Sequence, residues 1–349
     1  MFPRNFWYVA GWDWEIRRQE LFRRTLCNEP VVFWRREDGK PVALEDRCCH
    51  RHVPLSGGRL RGDNVECPYH GLTYDCTGAC VRVPSQKAIP PSARVRSYPV
   101  VERHHWIWIW MGDPALADPA LIEDYHWNDD PAWRFKGERL QVEGNYLLLV
   151  DNLLDLTHLQ FVHRTTLGTE AISNFPIKVE REDTRVRVTR WIMDSPAPPF
   201  FQKAGGFSPT EHVDRWQIIE FTPPGFVRLD VGAARAGTGA PEGNRSQGFT
   251  MRNLNALTPE TDSSTHYFWG QAHNFGIDDP SITEMLFNQV HTAFLEDLVI
   301  VRNQQSNIDA YASKLPDQVD FGQDAGGIRA RRIVQDIIDA ETRAAVPSR

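Results

Sequence analysis

The chain reads as an α+β protein in two parts: an all-β, metal-carrying domain over residues 1–117, then a domain over 118–349 that combines an antiparallel sheet with helices. Three observations predict this. Cysteines and histidines gather in loops between short strands of the first third, alternating apolar and polar runs fill the middle, and helical apolar stripes carry acidic groups where apolar ones are expected. A length of 349 residues exceeds what one core commonly organises, which favours two domains. A hydrophobic content of 41% with 24% charged residues is that of an ordinary globular chain. The net charge of −7 argues against a general nucleic-acid binder. No apolar run is long enough to span a bilayer, and the start MFPRNFWYVAGWDWEI lacks the pattern of a signal peptide. All six cysteines lie between 27 and 80, so a reducing cytoplasm with a local metal site is expected, not a disulfide framework.

In the first part, strands are expected around Pro30–Arg35, Val42–Asp46, Leu72–Asp75 and Trp106–Trp110, with Trp106, Trp108 and Trp110 on one packed face. Two loops stand out: Cys48-Cys49-His50-Arg51 and Cys67-Pro68-Tyr69-His70-Gly71. Their spacing is C-x-H, sixteen residues, C-x2-H. Two thiolates and two imidazoles can bind zinc. They can also hold a [2Fe–2S] cluster in which histidines replace two cysteines on one iron. One Cys and one His per loop favours the cluster, with Cys48 and Cys67 on one iron and His50 and His70 on the other. Cys49 reads as a bystander pointing away from Cys48, and Cys76 and Cys80 as small buried residues.

After a Pro- and Asp-rich connector, residues 139–146 read as a strand leading into DNLLDLTHLQFVH, 151–163, tested as one helix. Leu147, Asp151, Asp155, His158 and Val162 then share a face. Buried carboxylates there need a partner or a metal. His158 and His163 lie about 140° apart on an ideal helix, so they can share an ion only where the helix loosens. Strands follow at Thr184–Met193, Arg215–Phe221, Phe226–Gly232 and Ser264–Asn274, and 194–212 and 234–248 read as mobile loops. From Ser281 to Ser306 an apolar stripe of Ile282, Leu286, Val290, Phe294, Leu298 and Val301 includes Asp297, while Glu296 falls to the solvated side. Asp324–Ala345 reads as an amphipathic helix.

The two loops followed by DNLLDLTHLQFVH resemble the oxygenase components of Rieske non-haem iron oxygenases, above all the vanillate O-demethylase, toluenesulfonate methyl-monooxygenase and dicamba demethylase group. RNFWYVAGW, RSYPVVER, IWMGDPALADPALI and LTPETDSSTHYFWG extend the resemblance over nearly the whole chain; Cys49, where many relatives carry proline, departs from it. It implies a Rieske domain followed by a catalytic domain of the helix-grip type with a mononuclear non-haem Fe(2+). Matching FLED at 294–297 to the family's F-x-E-D stretch makes Asp297 the third ligand beside His158 and His163. It also implies a head-to-tail homotrimer in which Asp155 bridges His158 and His70 of a neighbouring subunit, and a reductase or ferredoxin that delivers electrons from NAD(P)H. Asn152, one turn before Asp155, would lie near the iron.

The implied activity is O2-dependent oxidation of a methyl or methoxy group on a small aromatic carboxylate or sulfonate. Strand parity offers Trp191, Arg228, Asp230 and Asn255 as substrate contacts, with Phe200 and Phe201 from the following loop, and Arg228 or Arg190 for the acid group. Two other classes compete: a Rieske electron carrier with a ligand-binding domain, for which His158, His163 and Asp297 would be coincidence, and a zinc-containing binding protein.

Overall fold

The computed structural model describes residues 1–163, 175–311, 314–316 and 318–345. They form two compact units, Met1–Asp124 with Thr258–Asp262, and Tyr125–Leu257 with Ser263 onward. The expected boundary at 117/118 falls within a run of short 3-10 turns between Pro114 and Asn128.

The first unit is built from β1 (Trp7–Trp12), β2 (Phe22–Leu26), β3 (Glu29–Arg35), β4 (Pro41–Glu45), β5 (Arg59–Arg61), β6 (Asn64–Glu66), β7 (Thr73–Tyr74), β8 (Cys80–Arg82), β9 (Ser97–Tyr98), β10 (Val100–Arg103) and β11 (Trp106–Trp110). Small sheets run in the orders β1-β11-β10, β2-β3-β4-β9 and β5-β6-β7-β8. The WIWIW strand is buried at every position, its isoleucines as well as its tryptophans, and β11 is the central strand with both edges paired to β1 and β10. The β5–β8 sheet matters most for function. One Cys–His loop joins β4 to β5 and the other joins β6 to β7, above a core of Val32, Trp34, Leu44, Leu55, Val65 and Tyr74.

The second unit holds β12 (Arg134–Val142), α1 (Tyr146–Leu154), α2 (Leu159–Val162), β13 (Ile177–Glu182), β14 (Arg185–Pro196), α3 (Pro199–Gly205), β15 (His212–Thr222), β16 (Phe226–Arg235), β17 (Gly248–Thr261, whose end from Thr258 belongs to the first unit), β18 (Ser264–His273), α4 (Pro280–Tyr311) and α5 (Ala325–Ala345). Its antiparallel sheet runs β12-β18-β17-β16-β15-β14-β13. β13 and β17 add to the strands expected from the sequence. β17 was obscured because Asn253 and Asn255 interrupt its apolar alternation, yet both are buried and hydrogen-bonded to each other, Asn255 Nδ2 to Asn253 Oδ1 at 2.8 Å. Within 194–212, expected as a mobile loop, Pro199–Gly205 forms α3, which ends at Gly206 in the left-handed conformation and buries Phe201.

α4 packs on β12 and β18, and α5 packs on α1 and β14. Two glycines let α5 approach closely: a Cβ on Gly326 would lie 2.9 Å from Val188 Cγ2, and one on Gly327 would lie 2.4 Å from Asp151 Oδ1. Asp151 faces α5, 3.3 Å from Arg331 Nε.

The expected continuous helix over 151–163 does not form. α1 stops at Leu154, Asp155 is extended (φ −96°, ψ 116°), and the helix resumes at Leu159. The Asp155 carboxylate accepts from both the backbone N–H and the hydroxyl of Thr157 at 2.6 Å, an Asx turn that competes with helix continuation.

Candidate functional site

The break between α1 and α2 positions both histidines. His158 starts the second segment, and its Nδ1 donates to the Asp155 carbonyl at 2.7 Å. The Asp155 carboxylate stands further off, with Oδ2 3.7 Å from His158 Nδ1, so the backbone rather than the expected carboxylate makes the short bond within the chain. His163 ends α2, and its Nδ1 donates to Glu296 Oε2 at 2.7 Å. With both Nδ1 atoms engaged, both Nε2 atoms are turned to Asp297: His163 Nε2 lies 3.2 Å and His158 Nε2 3.6 Å from its Oδ1. The two rings meet edge to face, 5.1 Å apart. Asn152 Nδ2 donates to that same Asp297 oxygen at 2.9 Å.

Among the described residues, three or more His, Cys, Asp or Glu donors draw within 4.8 Å of one another only at His158, His163 and Asp297. Metal–ligand bonds of about 2.1 Å at right angles separate neighbouring donors by about 3 Å, so these spacings suit one ion held on one face. His163 and Asp297 are buried and His158 is half-buried, which limits competition from water. Burial opposes a charge on His163, but Asp297 and Glu296 outweigh it and hold the imidazole above its ordinary pKa. Burial likewise opposes the Asp155 carboxylate, yet the nearby His158 imidazole and the hydrogen bonds from Thr157 hold it below the usual range.

In the first unit, the Cys48 N–H donates to the Val53 carbonyl at 2.9 Å and the Cys67 N–H to the Leu72 carbonyl at 2.8 Å, so each cysteine sits at the mouth of a closed loop. Cys48 and Cys67 are buried, whereas His50 and His70 are exposed with ring centroids 4.7 Å apart. Two buried sulfurs on one side and two exposed imidazoles on the other suit two metal ions, one on each pair. Cys49 does not point clear of its neighbour as expected: Tyr74 Oη lies 3.1 Å from Cys48 Sγ and 3.2 Å from Cys49 Sγ.

A cavity of about 370 Å³ adjoins the His–His–Asp cluster in the second unit. Its helical wall includes Asn152, Asp155, Leu286 and Phe294, and its sheet wall includes Arg215, Gln217, Leu229, Val231 and Asn253. Phe200 and Phe201 line it as expected. The other substrate candidates lie elsewhere. Asp230 accepts from Trp216 Nε1 at 2.8 Å and pairs with Arg245 and Arg252, on the face of the sheet opposite Leu229 and Val231. On that same outer face Arg228 lies 3.6 Å from Glu220, and Trp191 packs against Trp216. Arg190 is buried and donates to the Leu156 carbonyl at 3.3 Å. Asn255 shares the parity of Asn253 but is fully buried, donating to Asn253 and accepting from Tyr267 Oη at 2.8 Å. It supports a cavity residue without lining the cavity.

Glu296, Arg215 and Gln217 were not picked out from the sequence. A signal existed for the last two: Val213, Ile219 and Phe221 mark the inward parity of β15, and Arg215 and Gln217 are polar intruders on it.

Comparison with known proteins agrees with this architecture. Residues 6–99 match the Rieske [2Fe-2S] domain, and residues 142–340 match the vanillate O-demethylase oxygenase C-terminal domain. The chain is 44% identical to the toluene-4-sulfonate monooxygenase system iron-sulfur subunit TsaM1 of Comamonas testosteroni, over 99% of this chain and 100% of that one. It is 38% identical to a vanillate O-demethylase oxygenase subunit of a Pseudomonas species, over 99% of this chain and 97% of that one. Among solved structures, dicamba monooxygenase bound to 3,6-dichlorosalicylic acid superposes with a TM-score of 0.90 at 36% identity, covering 99% of both chains.

Proposed function

The chain belongs to the Rieske oxygenase family, with a Rieske [2Fe-2S] domain ahead of a vanillate O-demethylase-type oxygenase domain, and from that premise we propose that it oxidises the methyl or methoxy group of a small aromatic carboxylate or sulfonate. It is an oxygenase component and an oxidoreductase; the electron-carrier alternative does not account for its family. The observation that carries the substrate reading is the convergence of His158 Nε2, His163 Nε2 and Asp297 Oδ1 beside a largely apolar cavity of about 370 Å³, roomy enough for one substituted benzene ring.

Cys48, His50, Cys67 and His70 would hold the cluster, and His158, His163 and Asp297 would hold Fe(2+). When bound, the two centres supply reducing electrons and dioxygen activation. The chain's own groups do the rest. The Asp155 carbonyl and the Glu296 carboxylate hold the histidine rings with Nε2 presented. Asn152 fixes one Asp297 oxygen. Phe200, Phe201, Leu286 and Val290 shield the cavity from water. In overall balance one O2, two electrons and two protons place one oxygen atom in a methyl C–H bond and release one water. From a methoxy group the product is a hemiacetal that falls apart to a phenol and formaldehyde.

The two electrons would come from NAD(P)H through a reductase or ferredoxin. Asp155 would link the centres across subunits of a homotrimer, its carbonyl holding His158 of one subunit and its carboxylate serving His70 of the next. No helix among the described residues is long and apolar enough to cross a membrane, and the cytoplasm is the compartment that suits this electron supply. The test is oxygen uptake with NADH, a reductase and a panel of methoxybenzoates, methylbenzoates and toluenesulfonates. Substrate-dependent uptake supports the reading, with formaldehyde marking demethylation; no stimulation by any member of the panel overturns it.

A further inference from the structure

We infer that Arg215, flanked by Gln217 on the sheet wall of the cavity, is the anchor for the substrate's anionic head group. The inference deepens the reading above and rests on it for the identity of the ligand as an aromatic acid.

The position of Arg215 is unusual for an arginine. Its guanidinium lies over the Phe201 ring, 4.6 Å from the centroid, a contact with the ring that leaves its N–H donors available for an anion. Its Nε is buried and has no hydrogen-bond partner among the described residues, and no ion pair is made by its side chain there. Gln217, two positions along the same face of β15, buries its Oε1 equally without a partner. Both residues line the same cavity. Burial alone pulls the Arg215 guanidinium down to about 10, with no carboxylate acting on it, so it stays cationic at neutral pH.

Neighbouring arginines make a contrast. Arg228 has Glu220, and Arg245 and Arg252 share Asp230. Arg190, which also lacks an ion pair among the described residues, donates to the Leu156 carbonyl and does not line the cavity. A desolvated guanidinium without an anion is costly, and a ligand carboxylate or sulfonate relieves that cost by accepting the free donors. The carboxylates that line the cavity, Asp155 and Asp297, belong to the helical wall with the histidines. An aromatic acid seated on Arg215 therefore keeps its negative end on the sheet wall, away from those carboxylates, and turns its opposite end towards them. That is the orientation that offers a methyl or methoxy group for oxidation.

The test is calorimetric binding, which needs no turnover. Toluene-4-sulfonate, 4-methylbenzoate and the uncharged toluene-4-sulfonamide are titrated into the holoprotein and its variants, with cluster absorbance and iron content as checks of folding. The wild type is expected to bind at least one of the two anions tenfold or more tightly than the sulfonamide. Arg215→Met should weaken that anion at least thirtyfold while leaving the sulfonamide within threefold. Arg215→Lys keeps the charge without the fork and should fall between; it also serves if the methionine variant does not fold. Unchanged anion affinity in either Arg215→Met or Arg215→Lys, no preference for anions in the wild type, or failure of both anions to bind overturns the assignment. Anion-selective binding lost in Arg215→Met, with no oxygen uptake in the wild type, sinks the reaction proposed above and leaves the anchor standing. Uptake with an aromatic acid that survives Arg215→Met unchanged does the reverse.

Discussion

Two stretches of the second unit bring donors to the same three-residue cluster by opposite means. α4 delivers Asp297 from an unbroken helix of 32 residues, on the stripe that also buries Phe294 and Val301. The stretch from Tyr146 to His163 delivers its histidines by interruption, stopping at Leu154 and restarting at Leu159. One ligand needs only a rigid rod. Two ligands five positions apart need the rod to fail at a chosen place, because an intact helix would splay them by about 140°. Regular structure fixes where a single side chain points, and a designed irregularity brings two together.

The sharpest way to break that comparison is at Asp155. Alanine there removes the acceptor that Thr157 uses to end the helix, and it also removes the charge. Asparagine keeps an acceptor oxygen and loses only the charge. Asp155→Ala should lose most of the mononuclear iron while the cluster absorbance stays, by elemental analysis and visible spectroscopy. Asp155→Asn should keep iron near the wild-type content and slow substrate-dependent reoxidation of the reduced cluster by roughly a hundredfold or more in stopped flow, in line with losing a partner that orients ligands. Equal iron content in the two variants would mean that the turn does not set the ligand geometry.

A smaller effect is expected on the α4 side. Glu296 holds His163 in place but does not shape the backbone. Glu296→Ala should weaken iron binding by about 10- to 100-fold in chelator competition, with Glu296→Gln retaining part of the bond. Affinity unchanged in Glu296→Ala would leave His163 oriented by Asp297 alone.

The smallest effect concerns the support behind the broken helix. Burial pushes the Asp151 carboxyl up to about 7 despite the Arg331 guanidinium beside it. In the unfolded chain it titrates near 3.9, about the reference value. The folded state therefore binds the extra proton between those values, and the contribution of Asp151 to stability falls as pH rises from about 4 to about 7. Asp151→Asn should raise Tm relative to wild type by on the order of 2–4 °C at pH 8, with the gain fading by pH 5 in thermal melts. A gain independent of pH would point to packing against α5 in place of ionisation.

The sequence showed most clearly what regular periodicity encodes. The stripe of α4 placed Asp297 inward, and spacing alone picked out Cys48, His50, Cys67 and His70 in two loops that flank the β5–β8 sheet. It concealed what depends on a side chain reaching back to the backbone. Nothing in DNLLDLTHLQFVH distinguishes Asp155 as a turn former from Asp155 as a helix residue until Thr157 is seen to use it. Glu296, read as solvated, is bound to His163, a partner separated from it by 133 positions and invisible to any local pattern. The substrate wall was misread for a different reason. Strand parity alone offered Asp230 without saying which face is inner, and its pairing with Arg245 and Arg252 places it outside the cavity. The alternation of Val227, Leu229 and Val231 on one side of β16 held the correct parity.

The sulfurs of Cys48 and Cys67 are sealed inside their domain while the rings of His50 and His70 stand in the open. A cluster held on these four residues would be insulated on one pole and bare on the other. Charge crosses a few ångströms of imidazole far more readily than a thickness of packed hydrocarbon, so traffic to and from it would have a single doorway. Donor and acceptor would then use the same pair of rings, either in turn or from opposite edges.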